Sequence, residues 1–179
     1  MDYTKSELRN VIRDSRTSLA NRLAVSELFA TPEMKSANVI ASYVSYGNEP
    51  TTGDINQEVI DSGRILLLPR TLADNSLEFV AWNGSADSLK LNGKVLEPTG
   101  VTFLGDFEVM ILPALAIDKF GNRLGQGGGS FDRALENFSG WSVALINQSE
   151  LVDQLPSEPH DQRVKAALTE FGLTRFNLN

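Results

Sequence analysis

Cysteine is absent from this 179-residue chain, and histidine occurs once, at His160. These two facts exclude disulfides, thiol catalysis, thiolate metal sites and any multi-histidine metal centre. Basic residues are outnumbered 16 to 23, leaving a net charge of −7, which argues against duplex nucleic acid as a partner of the whole molecule. A local basic patch can still hold a phosphate-bearing small molecule. No apolar run approaches the roughly 20 residues that span a bilayer. The N-terminal "MDYTKSELRN" lacks the apolar stretch of a secretory signal. A cytoplasmic protein with no membrane partner is expected. Repeats, low-complexity tracts and linkers are also missing, so residues 1–179 read as one domain, long enough to bury a core.

What the sequence does contain is an alternation of helical and extended patterns. A first helix is predicted over Thr4–Ala20, with Leu8, Val11, Ile12 and Leu19 on one side. "SELFATPEMKSA" reads as a second helix, broken or restarted at Pro32. "NVIASYVSY" has the β-rich character of a buried strand, and "GDINQEVIDSG" that of a short helix ending on Gly63. "RILLLPR" and "LEFVAWN" are strands joined by the turn "LADNS". Gly84–Phe103 reads as loop with turns at Asn92-Gly93 and Pro98-Thr99-Gly100. "FEVMILPALAI" is the most apolar strand. A helix over Phe131–Phe138, the strand "WSVALIN" and a closing helix–strand stretch follow. Strands alternating with helices imply an α/β fold with a mostly parallel sheet.

Such sheets bind ligands beyond the carboxyl ends of their strands, where loops lead into helices. "NRLGQGGGSFDRALE" occupies that place: four of the 14 glycines fall within Gly125–Gly129, and a helical spacing of Phe131, Leu135 and Phe138 begins directly afterwards. Ser130 is a natural N-cap for that helix. A helix start preceded by bare backbone offers N–H groups and the positive end of a dipole. Arg123 adds a fixed cation, and Asp132 a carboxylate suited either to a magnesium ion or to the helix dipole. The P-loop lysine is missing, and the third glycine of the dinucleotide fingerprint is Ser130 here. The loop is a phosphate cradle of another kind, or a mobile glycine-rich turn.

Two further features point to the same rim. At about 100° per residue, Lys5, Arg9, Arg13 and Arg16 fall within an arc of about 80° on the first helix. They form either a solvated face or a basic stripe reaching over a pocket. Glu49, in "GNEPTTGD", follows the strand "NVIASYVSY"; it is either a ligand contact or an ordinary loop glutamate. Tyr46 and Trp82 can stack on a flat ligand or pack as rim aromatics.

Taken together, Lys5 and Arg9 as "K-x-x-x-R", "NEPTT" with Glu49, "LEP" at Glu97, "LPALAIDKFGNRLGQGGGSFDR", "LVDQLPSEPHD" and "ALTE" resemble the 5-formyltetrahydrofolate cyclo-ligases over almost the full length. The resemblance implies a three-layer α/β/α sandwich, Rossmann-like, and a ligase using ATP and magnesium on a reduced folate, with 5,10-methenyltetrahydrofolate as product. By position in the family pattern, ATP would be held by Lys5, Ser6, Glu7, Leu8 and Arg9. Arg123, Leu124, Gly125, Gln126, Gly127, Gly128, Gly129, Ser130 and Phe131 would hold it from the other side. Arg123 and Lys5 would serve catalysis, Val44 and Glu49 the folate, and Asp132 the metal; a monomer is expected. The family usually carries "GGGYYD", so both tyrosine hydroxyls are missing at Ser130 and Phe131. Gln126 replaces a common tyrosine or arginine, and Lys165 an acidic residue. These departures keep two alternatives open: a nucleotide-binding regulatory protein without ligase activity, and a sugar-phosphate isomerase-like protein.

Overall fold

The structure is a computed structural model that describes residues 4–16, 22–158 and 160–178. Its centre is a seven-stranded sheet. In chain order its strands are β1 (Val39–Ala41), β2 (Ile65–Thr71), β3 (Leu77–Trp82), β6 (Val109–Pro113), β9 (Trp141–Leu145), β11 (Ala166–Thr169) and β12 (Gly172–Arg175). The spatial order is β12-β11-β9-β6-β1-β2-β3, with β11, β9, β6, β1 and β2 mutually parallel and the two edge strands antiparallel. The parallel strands alone follow the doubly wound order 2-1-3-4-5, not the 3-2-1-4-5-6 of dinucleotide-binding folds.

Side-chain alternation along these strands divides the interior. Ile40, Leu66, Leu68, Val109, Ile111, Val143, Leu145 and Leu168 face one cluster; Ala41, Leu67, Met110, Leu112, Ala144 and Ala167 face the other. Helices α2 (Val25–Ala30), α3 (Pro32–Ser36) and α4 (Gly53–Asp61) cover the first face through Leu28, Met34, Ile55 and Val59. Helix α5 (Ser130–Glu136) covers the second through Leu135. The expected three-layer α/β/α sandwich with a mostly parallel sheet is therefore present. Burial on both faces explains why β6 is an uninterrupted apolar run.

Thr31 explains the break at Pro32. Its hydroxyl donates to the Leu28 carbonyl (2.8 Å) and accepts from the Met34 N–H (3.2 Å), so it ends α2 and caps α3 at once. Pro32 at the first helical position loses no bond that the helix needs. Helix α1 (Lys5–Ser15) is shorter than the pattern suggested. Thr4 and Glu7 form a capping box at its start, and Arg16 leaves helical geometry at its end. Val11 is half exposed rather than on the buried face. Leu19 and the rest of residues 17–21 lie outside the described residues.

Four other expectations change. "NVIASYVSY" forms a strand only over Val39–Ala41. Beyond it, Ser45 and Thr52 bond each other's backbone N–H (both 3.1 Å) and fold the chain into a loop. "FEVMILPALAI" divides after Pro113: β7 (Ala116–Asp118) leaves for a small sheet with β8 (Arg123–Leu124) and β10 (Leu151–Val152). The supposed loop Gly84–Phe103 contains a hairpin of β4 (Leu89–Asn92) and β5 (Val95–Pro98). The closing stretch is a β11–β12 hairpin without the expected helix, because Gly172 turns the chain at φ +137°. Helix α1 lays Ile12 and Leu8 on Leu115, Ala116, Leu124 and Leu155 of the small-sheet region. Among the described residues no helix is long and apolar enough to cross a membrane.

Candidate active site

Strand β2 lies on one side of β1 and β6 on the other, so the direction of winding reverses between β1 and β6. A crevice opens past the carboxyl ends of strands at such a point. A cleft of ≈ 780 Å³ lies there, lined by Tyr43 and Val44 after β1, Pro113 at the end of β6 and Ala114 after it, Pro69 and Thr71 on β2, and the whole glycine loop. Of the predicted site residues, Lys5, Arg9, Val44, Glu49, Arg123–Phe131 and Asp132 line this one cleft. Ser6, Glu7 and Leu8 do not: Glu7 is occupied by the Thr4 cap, and Leu8 packs on the small-sheet cluster. Tyr46 lines the cleft, whereas Trp82 faces a separate hollow.

The glycine loop is launched by a rigid turn. The fully buried Asp118 carboxylate accepts from the N–H groups of Phe120, Asn122 and Leu155 (2.9–3.0 Å) and from the Asn122 side chain (2.8 Å). Arg123 follows. Its guanidinium donates to the Pro113 carbonyl (3.1 Å) and pairs with Asp132 (2.9 Å), and its side chain is only 4% exposed. A buried cation needs such partners. Its Nε and the second oxygen of Asp132 are both buried without a partner among the described residues.

The glycines answer to arginines. A β-carbon on Gly125 would sit 2.6 Å from an Arg123 nitrogen, and one on Gly129 would meet Arg133 at 3.3 Å. At Gly127 the nearest atoms are those of Arg9, at 3.7 Å. Gly127 and Gly129 also hold left-handed φ values of +114° and +67°, which favour glycine. Gly128 has neither constraint: its φ is not in that region and its nearest neighbour is 3.6 Å away. Gly129, not Ser130, is the N-cap of α5, and no side chain caps that helix.

The carbonyls of Gly125, Gln126, Gly128 and Gly129 are occupied, while the loop's N–H groups from Gln126 to Ser130 are free among the described residues. Arg9 donates to the Gly125 carbonyl (2.9 Å), Arg13 to that of Gln126 (2.9 Å) and Arg133 to that of Gly128 (2.9 Å). The N–H groups of Gln126, Gly127, Gly128, Gly129 and Ser130 donate to nothing among the described residues. Lys5 is already neutralised: its ammonium sits 2.5 Å from Asp161 and 3.0 Å from Glu158. Burial opposes that charge, but the two carboxylates outweigh it and hold the ammonium above its ordinary range. Arg16 is not on the stripe at all; it is buried in an ion pair with Glu150 (2.6 Å).

The other end of the cleft is differently built. Burial raises the Glu49 carboxyl above the ordinary range, against the opposing pull of the Tyr46 N–H (3.1 Å), Arg16 and the Gln126 amide. Tyr43, whose buried hydroxyl has no partner among the described residues, is pushed well above the usual phenol range by burial and by Glu49. Nearby, Glu97 is buried and accepts from the Thr71 hydroxyl (2.7 Å) and the Asn92 amide (3.0 Å), fixing the β4–β5 hairpin at the cleft wall. Sequence reasoning gave no role to Tyr43, Glu97, Arg133, Glu158 or Asp161. Glu97, Glu158 and Asp161 lay within motifs of the family resemblance, and Arg133 four residues after Gly129, without a role attached to any of them.

A sequence model of the 5-formyltetrahydrofolate cyclo-ligase family matches residues 4–170. The 5-formyltetrahydrofolate cyclo-ligase of Mycolicibacterium smegmatis is 27% identical over 181 residues, covering 93% of each chain. The Escherichia coli enzyme of that name is 27% identical over 155 residues, covering 82% of this chain and 85% of its own. The solved structure of the Aquifex aeolicus 5,10-methenyltetrahydrofolate synthetase matches with a TM-score of 0.82 at 26% identity, covering 97% of this chain and 93% of that one. A Mycoplasma pneumoniae synthetase, 19% identical, shares the fold at a TM-score of 0.70 over 92% of this chain and 98% of its own. The chain belongs to the 5-formyltetrahydrofolate cyclo-ligase family of enzymes.

Proposed function

We propose that this protein uses ATP to convert 5-formyltetrahydrofolate into 5,10-methenyltetrahydrofolate, releasing ADP and phosphate. The observation that carries the ATP requirement is the run of five unpartnered N–H groups from Gln126 to Ser130 beside the buried Arg123. Consecutive free N–H groups form a concavity for anionic oxygens. The chemistry needs such help, because the formyl carbon on N5 is an amide carbon and a poor electrophile. Transfer of the γ-phosphoryl group to the formyl oxygen breaks the β–γ bridge, frees ADP and leaves an iminium phosphate. N10 then attacks the carbon and loses its proton to solvent. Phosphate departs with the former formyl oxygen, and the ring closes.

Phosphoryl transfer asks the protein mainly for positioning and charge neutralisation. The loop N–H groups hold the phosphate oxygens, and Arg123 stands beneath them as a fixed cation. Lys5 reaches the same oxygens by exchanging Asp161 and Glu158 for them. Asp132 fits a magnesium contact: one oxygen is committed to Arg123 and the other is buried and unpartnered, and magnesium sites commonly use one or two carboxylates. Magnesium there would neutralise phosphate charge. Glu49 and Val44 line the folate end, where the Glu49 carboxylate accepts from pterin N–H groups. The missing tyrosine hydroxyls leave Phe131 to supply a flat apolar wall.

The test follows the absorbance of methenyltetrahydrofolate as it forms, with and without ATP. Turnover that requires ATP is the expected result. ATP binding without turnover would indicate a regulatory relative, and turnover without ATP would overturn the proposal.

A further inference from the structure

Arg9, Arg13 and Arg133 donate to carbonyl and amide oxygens and, among the described residues, to no carboxylate. Guanidinium groups beside a phosphate site would ordinarily be assigned to the phosphate itself. Here their donors are turned on the loop's backbone. Arg13 holds Gln126 at two points, the backbone carbonyl (2.9 Å) and the side-chain oxygen (3.0 Å). Arg133 bridges the Gly128 carbonyl (2.9 Å) and that of Asn75 (3.1 Å) in the β2–β3 turn. Asn75 is the non-glycine residue with a left-handed φ, +64°, among those described. An asparagine tolerates that conformation.

A trans peptide sends its C=O and N–H to opposite sides. Holding the Gln126 carbonyl therefore directs the Gly127 N–H away from Arg13, and holding the Gly128 carbonyl directs the Gly129 N–H away from Arg133. Four bare residues would otherwise sample many arrangements, since glycine loses the most freedom on ordering. Both arginines are exposed, so they act as outside struts on a loop that has no side chains of its own to pack. Gly129 also leaves the space into which Arg133 fits.

We infer that Arg13 and Arg133 are positioning residues of the nucleotide loop, each fixing a backbone carbonyl so that the next N–H faces the phosphates. The inference rests on the ATP reading above. It differs from a phosphate-ligand role because neither arginine needs to touch the nucleotide, and from a stability role because the effect falls on one substrate.

The experiment measures the Kd of a non-hydrolysable ATP analogue, both KM values, kcat and the melting temperature for wild type, Arg13→Ala, Arg133→Ala and Arg133→Lys. Each alanine variant should raise the analogue Kd and the KM for ATP by about tenfold, the loss expected for one charge-assisted hydrogen bond. The KM for 5-formyltetrahydrofolate and the melting temperature should hold. Arg133→Lys should recover most of the affinity, because one ammonium can bridge both carbonyls. Should an alanine variant melt far below wild type, Arg13→Gln and Arg133→Gln, which keep much of the length, replace it with the same expected results. Unchanged analogue affinity in folded variants overturns the inference and leaves the ATP reading intact. A parallel rise in both KM values also overturns it. Wild type that neither binds the analogue nor needs ATP for turnover sinks the ATP reading, and the inference with it.

Discussion

At one end of the cleft Arg9, Arg13, Arg123 and Arg133 surround the five residues Gly125–Gly129; at the other, Glu49 is sunk among Tyr43, Tyr46 and Val44. The first end has cations in excess and fixes them on carbonyls. The second has a carboxylate held partly against its own ionisation, together with an unpartnered phenol. The contrast suits the two guests proposed above. A polyphosphate brings its own charge and needs preset donors. A pterin brings uncharged N–H groups, which a half-buried carboxylate can select because leaving them unpaired is costly.

Breaking the cationic end should have the largest effect, and where it is broken matters. Gly125→Ala forces a methyl to within 2.6 Å of the buried Arg123 nitrogen. Overpacking of this kind costs about 1–3 kcal/mol; falling on the loop conformation that presents the N–H groups, it should lower nucleotide affinity by roughly 5- to 150-fold. Gly128→Ala, with open space and an ordinary φ, should change it less than about threefold. Titration calorimetry with the ATP analogue checks both; equal losses would remove the Gly125–Arg123 fit from the account.

Asp132→Asn comes next. Removing the charge leaves the Arg123 guanidinium without its ion-pair partner and removes the proposed magnesium contact. Turnover should drop by about tenfold or more, the usual scale for a charge-assisted contact, and the magnesium optimum should rise. Superimposable magnesium titrations for the two proteins would take Asp132 out of metal binding.

Glu49→Gln probes the other end and should separate function from stability. The folded-state carboxyl is raised above 4.5, so its contribution favours the fold below that pH and is lost as pH rises through the folded value. The variant should therefore melt higher than wild type at neutral pH, with the difference closing toward acid. Its KM for the folate should rise by about tenfold, the scale of one hydrogen bond to a charged group, with ATP affinity unchanged. A lower melting temperature at neutral pH would contradict the burial argument.

The smallest effect belongs to Asp161→Asn, which leaves Lys5 with Glu158 as its carboxylate partner. Burial works against the Asp161 charge, but Lys5 and the Glu158 N–H hold the carboxyl below 3.8, and Lys5 is raised above 10.5. The pair therefore stabilises the fold between those limits and is lost as pH falls below the first or rises past the second. The variant should melt a little below wild type at pH 7, with the difference shrinking as pH falls below 3.8. A difference that does not shrink as pH falls through that range would show that packing, not charge, is at stake.

Much of this was legible in the sequence because it is local. The β6 apolar run, the Thr31-Pro32 break and the glycine loop before α5 each declare themselves within a dozen residues. The hold of Arg9 and Arg13 on the loop does not, because these arginines meet their loop carbonyls across 116 and 113 positions of sequence. Arg16 misled for a related reason: helical spacing aligns it with Lys5 and Arg9, but α1 ends at Ser15, and Glu150 draws it into the interior. Ser130 has the chemistry of an N-cap, but the left-handed Gly129 takes that position. Residue type alone could not reveal either outcome.

The most direct test of the central claim is to follow the backbone amide resonances of Gln126–Ser130 by NMR while a magnesium–ATP analogue is added. The account predicts that these five amides shift and slow their exchange with solvent on binding, while those of the Ser45–Thr52 loop stay in place. Loop amides that do not move at saturating nucleotide would contradict it.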